Sequence, residues 1–420
     1  MSRSRVFPGW FVVGGAFLAM FVAFGTMYAF AAFFNELERE FQATRADVSL
    51  IFSIAGFLYF TLGAISGSLA DRFGTRLVVA AGVLLLVAGL VLASRADSLM
   101  GVYVFYGLGM GLGVGFMYVP SLGAIQRWFN LRRGFASGLA VSGIGMGTLL
   151  MPPLATYLVD FGGWRSAYLS IAGIVLILGL FAALLLEHSP ERRGYYRDGL
   201  PPPPDTTAAA SSSLDGIDLT RALRSQPFWL LYFAGMATSL GMFIPFVHLT
   251  PYAMDLGLSE RFGVMLIGLL GVGSVVGRFV LGGVADHLGR RPSLALMFLG
   301  MAIMMLFWLL AVGPVQLIIF AVCFGIFYGG FVALIPALAA DYFGGRHVSG
   351  IIGFLYSGAG IGVLVGPPLA GLAFDLTTSY FLPIIVGAAA NMLALACILK
   401  SAEPARYQAA ALAQAVPESG

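Results

Sequence analysis

Twelve apolar runs take up most of the chain, at residues 10–34, 48–70, 77–94, 99–125, 134–158, 164–186, 227–254, 262–285, 293–312, 314–340, 349–374 and 378–399. A helix needs about 20 mostly apolar residues to cross the hydrocarbon layer of a bilayer, and each run is near that length. Only 10% of the 420 residues are charged, against about 25% in a soluble domain, and the mean hydropathy is +0.91. No single core could hide so much apolar surface, so the solvent of this chain is lipid. In lipid every backbone amide must be satisfied internally, which leaves helices as the reading for runs of this length. The N-terminal MSRSRVFPGW is basic and precedes an apolar run, as in a signal peptide. The run 10–34 is too long for such a leader and is kept as the first span.

Charge sets the orientation. With the N-terminus inside, seventeen of the 23 basic residues fall in cytoplasmic segments and five (Arg39, Arg45, Arg95, Arg165 and Arg261) outside, leaving only Arg278 within a span. The positive-inside rule then puts both termini in the cytoplasm, and the compact loops with no N-x-Ser/Thr site suggest a bacterial inner (plasma) membrane. The net charge of +3 is small and scattered, which speaks against nucleic-acid binding. Cys323 and Cys397 lie in apolar runs and read as small hydrophobes, not as a disulfide or a metal site. The 17 methionines imply no redox chemistry, and no cofactor or metal is expected.

The chain is duplicated. GSLADRFGTR (67–76) recurs as GGVADHLGRR (282–291), and GIGMGTLLMPPLA (143–155) as GAGIGVLVGPPLA (358–370). Asp71 and Asp286, Gly147 and Gly362, Pro152 and Pro367, and Asp160 and Asp375 are all 215 residues apart. Between the copies, 187–226 is polar and holds PPPP and AAASSS, the composition of a linker. The expected organisation is a six-helix bundle over 1–186, a cytoplasmic linker over 187–226, a second six-helix bundle over 227–400 and a cytoplasmic tail over 401–420. Two parallel repeats are what a rocking transporter needs.

These residues resemble the major facilitator superfamily, whose loop pattern G-x-x-x-D-R-x-G-x-R is matched by Gly67, Asp71, Arg72, Gly74 and Arg76. It is matched again by Gly282, Asp286, Gly289, Arg290 and Arg291, with His287 where arginine is usual. A narrower resemblance is to the monocarboxylate transporters and the oxalate/formate antiporters: FPGWFVV opens the first helix, WFNLRRGFASGLAVSGIGMG (128–147) leads into the fifth, and Arg278 sits in the eighth. The chain departs from the animal members in having no lysine in 10–34 and Ser274 where they carry aspartate. It lacks the eleventh-helix lysine of the oxalate type, and Lys400 is its only lysine. The resemblance implies twelve helices in two bundles related by a pseudo-two-fold axis. It also implies that Asp71 and Asp286, with Arg72, Arg76, Arg290 and Arg291, latch the outward-facing state.

Arg278 carries the functional reading. Guanidinium stays protonated at any useful pH, and a cation in mid-membrane normally faces a cavity or a partner. It either anchors a carboxylate through paired hydrogen bonds or binds backbone carbonyls structurally. One fixed cation suits a monoanion better than a dianion, because the loaded site is then near neutral. Tyr118, Tyr328, Tyr356 and Tyr28 are candidate hydroxyl donors and Phe331 an apolar wall, although each could equally pack between helices. His248, alone in the seventh helix, and Asp255, at that helix's outer end, are candidate proton carriers. Asp255 stands about 24 Å of helix rise from Arg278, so direct pairing would need a broken helix, which Pro245 and Pro251 could supply.

The expected function is alternating-access transport of a short monocarboxylate such as lactate or pyruvate, with proton symport. An oxalate/formate-type anion exchanger is the alternative. An enzyme lacks a catalytic constellation, a sensor lacks an output domain, and a drug exporter would want a cavity acid. The glycine rows lie inside apolar spans with no strand before them, so they pack helices and do not bind phosphate. The expected partners are substrate, proton and membrane lipid, and a monomer is expected.

Overall fold

The computed structural model describes residues 7–129, 131–199, 217–344, 348–405 and 407. Residues 200–216 of the expected linker and 408–420 of the expected tail lie outside them, as does the side chain of Asp286. Among the described residues every regular element is helical. Eleven stretches are long and apolar enough to span a membrane. One of them, Gly134–Leu185, runs 52 residues, or about 78 Å of rise, too long for one crossing. It breaks at Gly163, whose φ of 74° and ψ of 168° are not helical. Among the described residues, twelve helices of spanning length result, the number that the sequence predicts.

We number them α1 (Gly9–Tyr28), α2 (Arg45–Phe73), α3 (Thr75–Ala93), α4 (Leu99–Trp128), α5 (133–162), α6 (164–185), α7 (Gln226–Asp255), α8 (Glu260–Leu288), α9 (Arg290–Trp308), α10 (Pro314–Phe343), α11 (Val348–Thr377) and α12 (Phe381–Lys400). The duplication holds to the residue: α8, α9 and α10 begin and end 215 positions after α2, α3 and α4. The turns α2–α3 and α8–α9 are single glycines, Gly74 (φ 91°) and Gly289 (φ 87°), in a backbone region that side chains other than glycine avoid. Two helices differ from their expected runs. The first continues past Tyr28 through a 3₁₀ turn into a short amphipathic helix, Phe34–Phe41, and α7 is interrupted at Phe243. Pro245, two residues past the break, accounts for it, because proline supplies no N–H for the helix ladder.

Small residues set the packing. A Cβ on Gly143 or Gly147 of α5 would collide with the carbonyls of Phe17 and Phe21 of α1. In the second half Gly358 and Gly362 of α11 meet Tyr232 and Met236 of α7 in the same way, and all four pairs keep the 215 offset. Across the halves, Gly145 meets Gly271 and Val275 of α8, and Gly360 meets Phe57 and Phe60 of α2. The backbones thus approach as small residues allow in a membrane, where apolar burial alone gives helices no reason to associate. Large side chains such as Phe161, Ile177 and Leu376 are exposed on the outside of the bundle.

Candidate functional site

Arg278 lies in α8, is 7% exposed, and sits where the two halves meet. Its Nη1 donates to the Val141 carbonyl of α5 at 2.6 Å. Its Nε and Nη2 have no hydrogen-bond partner among the described residues, nor does the Oγ of Ser274 one turn earlier. One donor is therefore spent structurally, as the bland reading of the sequence allowed. The remaining edge presents two parallel N–H groups, the arrangement that receives a carboxylate in bidentate fashion.

The four candidate tyrosines, Tyr328, Tyr118, Tyr28 and Tyr356, all lie within the electrostatic reach of Arg278. The Tyr28 and Tyr328 hydroxyls are 3.0 Å apart and join α1 to α10. Tyr28 stacks on Phe246 at 4.6 Å, and Phe24 meets Tyr118 edge-on at 5.2 Å. A cavity of about 50 Å³ is walled by Tyr118, Tyr328, Tyr356, Phe331, Ile144 and Phe243, among others. It holds the equivalent of about four waters, a volume suited to an organic anion of a few heavy atoms. Tyr28 and Arg278 stand behind the wall and do not line the cavity.

The structure places the candidate proton carriers elsewhere. His248 is fully buried, but at the outer seal and not at the cavity. Its Nε2 lies 3.0 Å from Ser49 Oγ of α2 and 2.9 Å from the Pro367 carbonyl of α11, and its Nδ1 lies 3.1 Å from the Tyr380 hydroxyl. Asp255 makes no bond to Arg278. It accepts from Arg45 of α2 in bidentate fashion, at 2.6 and 2.7 Å. The guanidinium of Arg45 also lies over the Phe374 ring at 3.9 Å and donates to Tyr380 at 2.8 Å. Asn35 donates to Glu260 at 2.8 Å, again across the halves. These bonds gather at the end that the charge distribution assigns to the outside, and they close it.

At the opposite end the loop residues make bonds within each half. Asp71 accepts from Arg127 at 2.8 Å, and Arg290 pairs with Asp341. Arg72 rests over Phe73. Arg76 donates to the carbonyls of Leu184 and Leu186, and Arg291 to those of Ile398 and Leu399. Both arginines satisfy the open C-terminal carbonyls of α6 and α12, with charge suited to a helix C-terminus. Several contributors carry no mark in the sequence: the Val141 carbonyl, Phe243 and Ile144 of the cavity wall, and the sealing role of Arg45. The facing of a uniformly apolar helix cannot be read from its own residues.

The sequence model of the Major Facilitator Superfamily matches residues 16–315 and 269–417. The chain belongs to that superfamily. Curated relatives include Monocarboxylate transporter 4 of Gallus gallus, 31% identical over 418 residues (96% of this chain and 86% of the relative). Monocarboxylate transporter 2 of Homo sapiens is 30% identical over 387 residues, covering 89% and 80% respectively. Monocarboxylate transporter 12-B of Danio rerio is 29% identical over 392 residues, covering 89% and 82%. This Major Facilitator Superfamily protein is therefore monocarboxylate transporter-like, a transporter and not an enzyme.

Proposed function

We propose that this superfamily member carries short monocarboxylates of the lactate and pyruvate kind together with a proton, by alternating access between the halves. One observation carries the reading: the buried Arg278 guanidinium has one donor held by Val141 and an unpartnered Nε–Nη2 edge, with four tyrosines within its electrostatic reach. A carboxylate on that edge would neutralise the charge. Tyr118, Tyr328 and Tyr356 could then donate to a 2-hydroxyl or 2-oxo group, while Phe331 faces the short carbon chain. The names of the relatives support the same class of substrate.

In this reading, 1–186 and 227–400 are the two moving bodies, joined by 187–226, with the 401–420 tail and both termini in the cytoplasm of a bacterial cell. His248 is the proposed proton carrier, because it is held by Tyr380 and Pro367 of its own half and by Ser49 of the other, a contact that parts when the outer seal opens. Asp71 and Asp286 engage the opposite half only once the outside has opened.

The test is uptake of labelled L-lactate into proteoliposomes, with and without an inward proton gradient. Gradient-driven uptake by the wild type and none by a folded Arg278→Ala supports the proposal. Uptake only against an internal anion would instead establish an oxalate/formate-type exchanger. For the proton role, His248→Gln should lose gradient-driven accumulation and keep lactate–lactate exchange. Unchanged accumulation would remove His248 from the coupling.

A further inference from the structure

Asp160 and Asp375 are one position of the repeat in two copies, and neither the anchor nor the coupling argument uses them. Each lies at the outer end of the fifth helix of its half, α5 and α11. Each reaches across to the first turn of a helix in the other half. Asp375 accepts from the backbone N–H of Arg45 at 3.1 Å and of Ala46 at 3.0 Å, at the start of α2. Asp160 accepts from Arg261 Nε at 3.1 Å and Nη2 at 2.7 Å, at the start of α8. Ala46 and Arg261 are themselves 215 positions apart.

Both helix starts already have their own caps. The Thr44 side chain accepts from Asp47 N–H, and the Ser259 side chain from Phe262 N–H. The aspartates are therefore not needed to begin either helix. What they add is a bond between the halves. Asp375 takes first-turn amides that the local cap leaves free, at the positive end of the helix dipole. Asp160 accepts two guanidinium N–H groups of Arg261 on one oxygen, Oδ2. When the outer ends separate, both carboxylates return to water and both sets of donors lose their partner. Such a bond exists in one state only, and an interaction present in one state alone shifts the equilibrium toward it.

We propose that Asp160 and Asp375 are paired outer latches, duplicated with the fold, that hold the transporter closed on the outside. The superfamily loop residues at the other end do not duplicate this role, since their observed bonds stay within one half.

The test reads the outer opening directly and needs no substrate, so it stands apart from the fate of the lactate reading. In the full chain, Cys323 and Cys397 are replaced by serine. Spin labels are then placed at Ser98→Cys and Val312→Cys, in the outer turns α3–α4 and α9–α10 of opposite halves. The wild type should show mainly the short, closed distance. Asp375→Ala should lower the closed-to-open ratio about three- to tenfold, and Asp160→Ala about two- to fivefold, because its partner Arg261 is well exposed. The double variant should approach the product of the two. If an alanine variant does not fold, Asp375→Asn and Asp160→Asn are read in the same way, with smaller shifts expected at 375. The exchange Asp160→Arg with Arg261→Asp should restore the closed distance, which a merely structural role would not do. Unchanged distributions in the folded single variants, or a double variant no more open than the larger single, would overturn the proposal.

Discussion

Replacing Arg278 by lysine separates charge from geometry. Lysine keeps the cation but offers a compact ammonium in place of the planar edge. The structure gives Arg278 three donor positions: Nη1 goes to Val141, and Nε and Nη2 are free for a carboxylate. Hydrogen bonds to a charged group are worth about 1.5–3 kcal/mol each. At 7% exposure, solvent screening takes little from that value. Loss of one of the two carboxylate bonds should therefore weaken substrate about 10- to 150-fold at the conversion of about 1.4 kcal/mol per decade. The assay is initial-rate L-lactate uptake in proteoliposomes, fitted for KM and maximal rate, with melting in detergent to show that the variant folds. KM should rise, and the pH dependence of uptake should stay as in the wild type. A folded Arg278→Lys whose KM lies within about threefold of the wild type would refute the bidentate anchor. A fall in maximal rate at constant KM would refute it too, because that pattern assigns Arg278 to the Val141 contact alone.

Burial raises the Glu38 carboxyl above the usual carboxylate range, with Arg45 opposing and Asp375 and Asp255 adding to the rise. A raised value in the sealed state means that protonation favours the seal. Its contribution is complete below the ordinary value of about 4.3 and is lost as pH rises through the raised one; the closed fraction should fall over that acidic window, and Glu38→Gln should flatten the step. Arg45→Ala removes the two-bond contact to Asp255 and the stacking on Phe374, with the arginine side chain only 12% exposed, so outer accessibility to a membrane-impermeant thiol reagent at an introduced cysteine should rise about tenfold; unchanged labelling would remove Arg45 from the seal. Phe331→Leu should widen the cavity and raise uptake of five- and six-carbon acids relative to lactate, and an unaltered length profile would show that Phe331 does not set the limit. Gly145→Leu would drive a side chain into Val275 and the Gly271 carbonyl, and the melting temperature should drop by the equivalent of about 1–3 kcal/mol or more.

How far the sequence could be read depended on whether a feature repeats or faces. The twelve spans, the duplication and the two glycine turns are properties of composition and spacing, and the structure reproduces them down to matching helix ends. Arg278 was legible because one permanent charge in an apolar run has few explanations. Its surroundings were less so. Tyr118, Tyr328 and Tyr356 share a cavity with Phe331, but nothing in uniformly apolar helices marks which face turns inward. A backbone partner such as the Val141 carbonyl leaves no mark in a sequence at all. Asp255 and His248 were noticed as titratable groups near the seventh helix. Their partners, Arg45, Ser49 and Tyr380, are far away in sequence and become visible only when the helices are packed together.

The placement of the outer bonds follows from what a carrier must do. The most extensive contacts between the halves run along two helix pairs, α5 with α8 and α11 with α2, and in both a glycine lies at the crossing: Gly145 against Val275, and Gly360 against Phe60. At the outer tips of these same pairs stand Asp160 with Arg261 and Asp375 with Arg45 and Ala46. The crossing is apolar and backbone-close, so sliding it apart would forfeit packing along its length. Rotation about it keeps that packing and separates only the tips. The Asp160–Arg261 tip is an exposed ion pair, worth about 0.2–1 kcal/mol when water can replace it. A cycle needs both states within a few kcal/mol of each other. Tight small-residue crossings with weak polar tips meet that condition; an apolar seam running to the surface would lock the outside shut.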